Sequence, residues 1–161
     1  YRASHDAMTG LWNKTSGLDR IRDSFKDMTE GDRAVLGFVD IDNFKSVNDT
    51  YGHENGDFWI REIAAALQEM CEPADIACRY GGDEYILFLK NIEAGDALTA
   101  RIESFRKRVH DKAAERKQDV HCSIGFCQIK GAGRDLSECI AIADKLLYQA
   151  KEIGKDTYVI G

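Results

Sequence analysis

The sequence predicts an α+β domain, a central, mainly antiparallel sheet with helices on its faces. Three observations predict it. Residues 34–39 form a continuous apolar run, Ala-Val-Leu-Gly-Phe-Val, as in a strand buried on both sides. Gly81-Gly82 separates two short strand-like segments, 76–80 and 84–89, so the two read as a hairpin. Between the strand signals lie long segments of helical period. Adjacent strands joined by a tight turn exclude an all-parallel, doubly wound sheet.

Taken in order, Asn13 can cap a first helix that carries Leu18, Ile21, Phe25 and Met28 at helical spacing. The apolar strand follows and ends in Asp40-Ile41-Asp42. A short helix is expected over residues 43–51, broken by Gly52. A longer one begins near Glu54 and buries Ile60, Ile63, Ala64, Leu67 and Met70. Pro73 closes that segment, and the hairpin comes next. An amphipathic helix spans about 94–116, with Leu98, Ile102, Phe105 and Val109 on one face. A strand over 120–129, a Gly-rich turn at 131–133, a helix over about 137–152 and a last strand over 157–160 complete the order α-β-α-α-β-β-α-β-α-β.

The bulk numbers narrow the function. A chain of 161 residues, 43% hydrophobic, fits one domain with a real core. A formal charge of −6 argues against non-specific duplex binding, which needs phosphate neutralisation, but leaves room for a small anionic ligand held by a local cluster. No apolar stretch is long enough to span a membrane, so no membrane contact is expected of this domain. Five cysteines without a C-x-x-C pair read as reduced, mostly buried thiols rather than a zinc site or disulfide framework. The start at Tyr1-Arg2-Ala3, with no signal peptide in view, suggests one domain, residues 1–161, taken from a longer protein.

Chemistry concentrates at two acidic pairs. Period two puts Asp40 and Asp42 on one face of their strand, and Asp83-Glu84 follows the hairpin tip. If those strands are neighbours, three or four carboxylates converge at one end of the sheet and need a cation. Oxygen ligands favour Mg²⁺ or Mn²⁺ over zinc. Asn43-Phe44-Lys45 then opens a helix, where free N–H groups and a lysine can hold phosphate. Together these are parts of a nucleoside triphosphate and Mg²⁺ site. Each part also has a plainer reading. Asp42 can cap the next helix, Glu84 can be a solvated edge residue, and Gly-Gly is a common hairpin turn. Asn48 can simply end a helix, His53 pack a loop, Asp57 complement a helix dipole, and Lys151 be a solvated helix-end cation.

Four stretches carry a family resemblance. Residues 38–57, Phe-Val-Asp-Ile-Asp-Asn-Phe-Lys-Ser-Val-Asn-Asp-Thr-Tyr-Gly-His-Glu-Asn-Gly-Asp, resemble the GGDEF-domain signature F-x-D-I-D-x-F-K-x-x-N-D-x-x-G-H-x-x-G-D. Residues 79–85, Arg-Tyr-Gly-Gly-Asp-Glu-Tyr, resemble R-x-G-G-D-E-F. Residues 6–13 resemble the opening D-x-L-T-G-L-x-N, and 150–155 the closing A-K-x-x-G-R. The resemblance covers almost the whole chain, in order.

It implies a ferredoxin-like β-α-β-β-α-β core, as in nucleotidyl cyclases and polymerase palm domains. It also implies a diguanylate cyclase that condenses two GTP into cyclic di-GMP and two pyrophosphates. By that resemblance Asp40, the carbonyl of Ile41, Asp83 and Glu84 would hold the metal. Asp83 would help deprotonate the attacking hydroxyl, and Lys45 would stabilise phosphate charge. Asn43 and Phe44 would cradle phosphate with their backbone, and Gly81 and Gly82 would let the ligand approach. Asn48 and Asp57 would read guanine with His53 nearby, and Arg79 and Lys151 would touch phosphate. One GTP per domain implies an antiparallel, transient homodimer. A cytosolic setting and an upstream sensor domain are implied too. The rival reading is a catalytically silent member that binds GTP or a partner.

Three departures are conservative: Tyr85 for Phe at a partly buried position, Met8 for Leu and Lys155 for Arg. A fourth is not. Many active members carry R-x-x-D, a product-binding brake, shortly before the Gly-Gly pair. Here the stretch is Glu72-Pro73-Ala74-Asp75, with Glu in place of Arg, so no such brake is expected. Arg101 or Arg106 on the following helix is the other source of a donor there.

Overall fold

The computed structural model describes residues 3–161; Tyr1 and Arg2, where the chain's opening was read, lie outside it. The elements follow the expected order: α1 (Lys14–Asp27), β1 (Arg33–Ile41), α2 (Phe44–Tyr51), α3 (His53–Met70), β2 (Ile76–Arg79), β3 (Glu84–Lys90), α4 (Asp96–Arg116), β4 (Cys122–Lys130), α5 (Leu136–Glu152) and β5 (Tyr158–Ile160). Asn13 does cap α1, its side chain accepting from the Ser16 N–H.

The sheet order is β2-β3-β1-β4-β5. All pairings are antiparallel except β4 with β5. The first four strands with their crossover helices make the ferredoxin-like core. β1 is continuously apolar because it is central and covered on both faces. Val35, Val39 and Ile41 pack towards α3 and α4 with Trp59, Ile63, Leu67, Leu98, Ile102 and Phe105. Ala34, Leu36 and Phe38 pack on the other side with Ile21, Phe25, Phe88, Ala143 and Leu147. Each fully buried Val, Leu, Ile or Phe side chain among these contributes about 1.5–3 kcal/mol. The two cores on either side of one sheet fix the ends of β1 and β3 relative to α2 and α5.

Tyr85 is not partly buried, as expected, but completely so, and its hydroxyl donates to the Ile60 carbonyl at 2.7 Å. Burial of a phenol is tolerated because that partner is within reach. All five cysteines are free thiols, Cys71 partly exposed and the rest buried. Among the described residues no helix is long and apolar enough to cross a membrane.

Candidate active site

The site forms where β1 ends beside the β2–β3 hairpin. Asp40 is paired in register with Glu84, and the Ile41 N–H donates to the Asp83 carbonyl at 3.2 Å. The two acidic pairs are therefore neighbours, as the hairpin reading required. Burial pushes the Asp83 carboxyl up to about 6, helped by the adjacent Asp40 and Glu84. Glu84 is also raised, by burial first and then by Asp40 and Asp144. Lys151 reaches from α5 to Oδ2 of Asp40. Burial opposes the charge on Lys151, but the Asp40 bond and the surrounding carboxylates outweigh it and raise its pKa.

Asp42 does not join this cluster. Its carboxylate is buried and accepts from His121 Nδ1 and Ser123 Oγ, both at 2.6 Å, and from the Asp156 N–H at 2.9 Å. Burial alone would raise its pKa, but these donors and the His121 charge hold it low. The period-two argument placed it on the right face; β4 then supplied partners that the local sequence could not reveal. Nor does Asp42 cap α2. The convergence is thus of three carboxylates rather than four.

The segment after β1, expected from the sequence to hold phosphate, is itself held from a distance. Asn43 has a left-handed φ of 51° and makes no side-chain cap, so the first turn of α2 is left open. Its Oδ1 accepts instead from Lys155 Nζ at 2.7 Å. Lys155 and Asp156 are themselves left-handed, with φ of 64° and 49°. Asp42 anchors that segment through the Asp156 N–H. Phe44 packs against the core and Lys45 is exposed.

Of the expected base readers, Asn48 on α2 meets α3 at Gly56, the residue before Asp57. A Cβ on Gly56 would sit 1.8 Å from Asn48 Oδ1, so only glycine lets Asn48 lie on α3, one residue from Asp57. That oxygen is buried and has no hydrogen-bond partner. His53 begins α3 and is exposed. Gly56 was visible in the motif, but its role becomes clear only from this contact.

Arg79 clamps the hairpin tip. It donates to the carbonyls of Gly81 (3.2 Å) and Gly82 (2.7 Å) and to both carboxylate oxygens of Asp6 (3.3 Å). Neither Gly81 nor Gly82 has a positive φ, so turn conformation does not demand them. A Cβ at Gly81 would press on Glu84 Oε1 at 2.5 Å, whereas one at Gly82 would meet nothing within 4 Å.

The donor set suits a hard divalent cation: carboxylates and a carbonyl, without thiol or imidazole. Oδ1 of Asp40 is buried and unpartnered, the kind of atom a cation would satisfy. Among the described residues, however, no three His, Cys, Asp or Glu side chains are already gathered in metal-holding geometry. The carboxylates are neighbours, not a finished cage.

A five-stranded, mostly antiparallel sheet with helices on its faces and an acidic strand end beside a Gly-Gly hairpin defines an α+β domain with a ferredoxin-like core. The profile of the family "Diguanylate cyclase, GGDEF domain" matches residues 3–157. The chain belongs to that family. It is 35% identical over 160 residues to the bifunctional diguanylate cyclase/cyclic di-GMP phosphodiesterase MucR of Pseudomonas aeruginosa, covering 97% of this chain but only 23% of MucR. The diguanylate cyclase SiaD of P. aeruginosa, solved with its activator SiaC, aligns at TM-score 0.86 and 33% identity, over 98% of this chain and 61% of that one. The coiled coil and GGDEF domain of DgcB from Caulobacter crescentus, solved in complex with c-di-GMP, align at 0.86 and 27%, over 99% and 86%.

Proposed function

We propose that this domain is an active diguanylate cyclase. The observation that carries the reading is the meeting of Asp40, Asp83 and Glu84 at one end of the sheet, where Asp40 Oδ1 is buried and unpartnered. In each of two steps the 3′-hydroxyl of one GTP attacks the α-phosphate of another and pyrophosphate leaves.

Mg²⁺, or Mn²⁺ in its place, would be held by Asp40, the Ile41 carbonyl, Asp83 and Glu84, and would supply positive charge against the triphosphate. Asp83, with its raised proton affinity, is suited to take the hydroxyl proton. Lys45 and the open backbone at Asn43 and Phe44 would face the phosphates. Lys151 would leave Asp40 for phosphate as the nucleotide enters. Arg79 would have to release Asp6 or the hairpin carbonyls to do the same, so its first contribution is to hold the tip. Asn48 and Asp57, with His53 at the rim, would read the guanine edge: a carboxylate accepts from both the ring N–H and the exocyclic amine. Gly82 leaves open space that no protein atom uses.

One chain offers one base-reading pair and one acidic edge, so turnover needs two copies. MucR is far longer than this chain, which spans 23% of it, and an upstream sensor domain with a cytosolic catalytic unit fits that size difference. The product brake is missing in this reading. Arg101 does reach Asp75, at 2.7 Å, but it also donates to the Met70 carbonyl, and Asp75 is filled by the N–H groups of Glu72 and Lys90. Arg106 is tied to Glu103 and the Asp156 carbonyl, away from this loop.

The test is incubation with GTP and Mg²⁺, with product identified by mass, for the wild type, Asp40→Ala and Asp83→Ala. Cyclic di-GMP from the wild type and a loss of 100-fold or more in each variant, about 3 kcal/mol at the transition state, are expected. A wild type that binds GTP but yields no pyrophosphate would establish the silent alternative.

A further inference from the structure

We infer that Gln118 is a positioning residue for base recognition: its side-chain amide fixes the rotation of α3 about its own axis, and so the direction in which Asp57 points. That Asp57 reads guanine rests on the cyclase reading; the hold on α3 does not. Gln118 leaves a closed helix end. Lys117 is left-handed, with φ of 55°, and the Gln118 N–H returns to the Ala113 carbonyl at 2.9 Å. From there the side chain takes hold of α3 at two places. Its Oε1 accepts from Asn55 Nδ2 and from Trp59 Nε1, both at 2.7 Å, and its Nε2 donates to Asn55 Oδ1 at 3.0 Å. Arg116 donates to the same Asn55 oxygen at 3.0 Å. An indole N–H can only donate, so Trp59 settles which end of the Gln118 amide faces it, and that end in turn settles Asn55. Trp59 is completely buried, so removing the Gln118 oxygen strands a donor in the core.

Asn55 and Trp59 are four residues apart and share one face of α3. Asp57 lies midway between them in sequence, about 160° round the axis from each, on the other side. Two fixed points on one face set the rotation of these turns, and the opposite side chain inherits it. Gly56, on which Asn48 packs, stands between the same two points, so both expected base readers are referred to one anchor. The segment then continues into the site. The Asp119 N–H donates to the Tyr51 hydroxyl at the end of α2, at 3.2 Å. The His121 carbonyl accepts from the Asp42 N–H just past the end of β1, at 2.9 Å. Residues 118–121 therefore tie the start of α3, the end of α2 and the end of β1 to one another.

The experiment compares the wild type with Gln118→Met, which keeps the volume and loses the acceptor, and with Asn55→Ala, which leaves the Trp59 bond in place. Calorimetry with Mg²⁺ measures affinity for the α,β-methylene analogues of GTP and of ITP, whose base lacks the exocyclic amine. Amide hydrogen exchange is followed without nucleotide. The wild type should prefer the guanine analogue about tenfold or more, the worth of one charge-assisted bond. Gln118→Met should cut that preference about fivefold or more, mainly by weakening the guanine analogue. It should also speed exchange over the first two turns of α3 while β1 and β3 keep wild-type rates. Asn55→Ala should shift both readouts in the same direction by less. Equal weakening of both analogues with faster exchange throughout would make Gln118 a general stabiliser and overturns the assignment, as does a Gln118→Met variant with wild-type preference. A wild type indifferent to the base removes the guanine reading itself, and the hold on α3 is then decided by exchange alone.

Discussion

The imidazole of His121 donates Nδ1–H to Oδ2 of Asp42 across 2.6 Å, where β1 gives way to the start of α2. The two residues are 79 apart in sequence, and the bond ties the β4 entry to the loop at Asn43. The Asp42 bond raises the pKa of His121, outweighing burial, so its stabilisation is complete below the ordinary value of 6.5 and is lost as pH rises through the folded value. Asp42, held below 3.8, contributes above that value and loses its contribution as pH falls through the depressed one. Urea unfolding from pH 5 to 9 should therefore show declining stability, and His121→Asn should flatten the decline. At pH 6 the variant should be less stable by about 2 kcal/mol, the worth of a charge-assisted bond to a buried carboxylate. A variant that keeps the wild-type pH slope would remove His121 from this role.

The acidic edge stores repulsion. The Asp83 carboxyl is raised to about 6, first by burial and then by Asp40, so the cost of ionising it in the fold grows as pH rises from 3.8 and is complete above about 6. Asp83→Asn should stabilise the metal-free domain at pH 7.5 by about 1 kcal/mol, a figure already discounted for the half-exposed position. The gain should vanish below pH 4, where the wild type is protonated too. Millimolar Mg²⁺ should then stabilise the wild type and not the variant. Thermal unfolding with and without the ion checks both halves.

Tyr85→Phe restores the residue common at this position in the family and removes the 2.7 Å bond to the Ile60 carbonyl. A loss of about 1 kcal/mol of stability is expected, with turnover changed by less than about twofold. A large fall in kcat would mean that the hydroxyl positions the neighbouring Glu84 rather than only packing the core.

The loop before the hairpin should not hold the product. Titration calorimetry with cyclic di-GMP should show no tight binding, and initial rates should ignore product at levels well below the GTP present. Glu72→Arg should strengthen binding about tenfold or more, since each charge-assisted bond is worth about 1.5–3 kcal/mol. Tight binding that Glu72→Ala leaves unchanged would reveal a different brake, with Arg101 the first residue to remove.

The fold was open to a sequence reading because each strand carries its environment in its letters. β1 is apolar throughout since both faces are covered, and the hairpin is marked by Gly81-Gly82. Helix ends were less legible: α3 begins at His53 rather than Glu54, because Gly52 both ends α2 and admits α3. Within the site, neighbours along the chain were readable and neighbours across it were not. Asp40, Asp83 and Glu84 could be brought together from a hairpin and a period of two. The partners of Asp42 could not, since His121 and Ser123 belong to a strand whose place beside β1 no local pattern specifies. Lys155 on Asn43 and Asp6 on Arg79 were hidden for the same reason.

Gly82 shows how loosely folding and chemistry can be coupled at one position. Its backbone angles are open to any residue and the volume beside it is free. Gly82→Ala should fold as well as the wild type and gain about 0.4–1 kcal/mol in urea unfolding, because the unfolded chain loses freedom; a marked loss would show that the tip needs glycine for its own sake. Selection acting through abundance or protease resistance would let that glycine drift. Only selection through what the tip must accommodate would keep it.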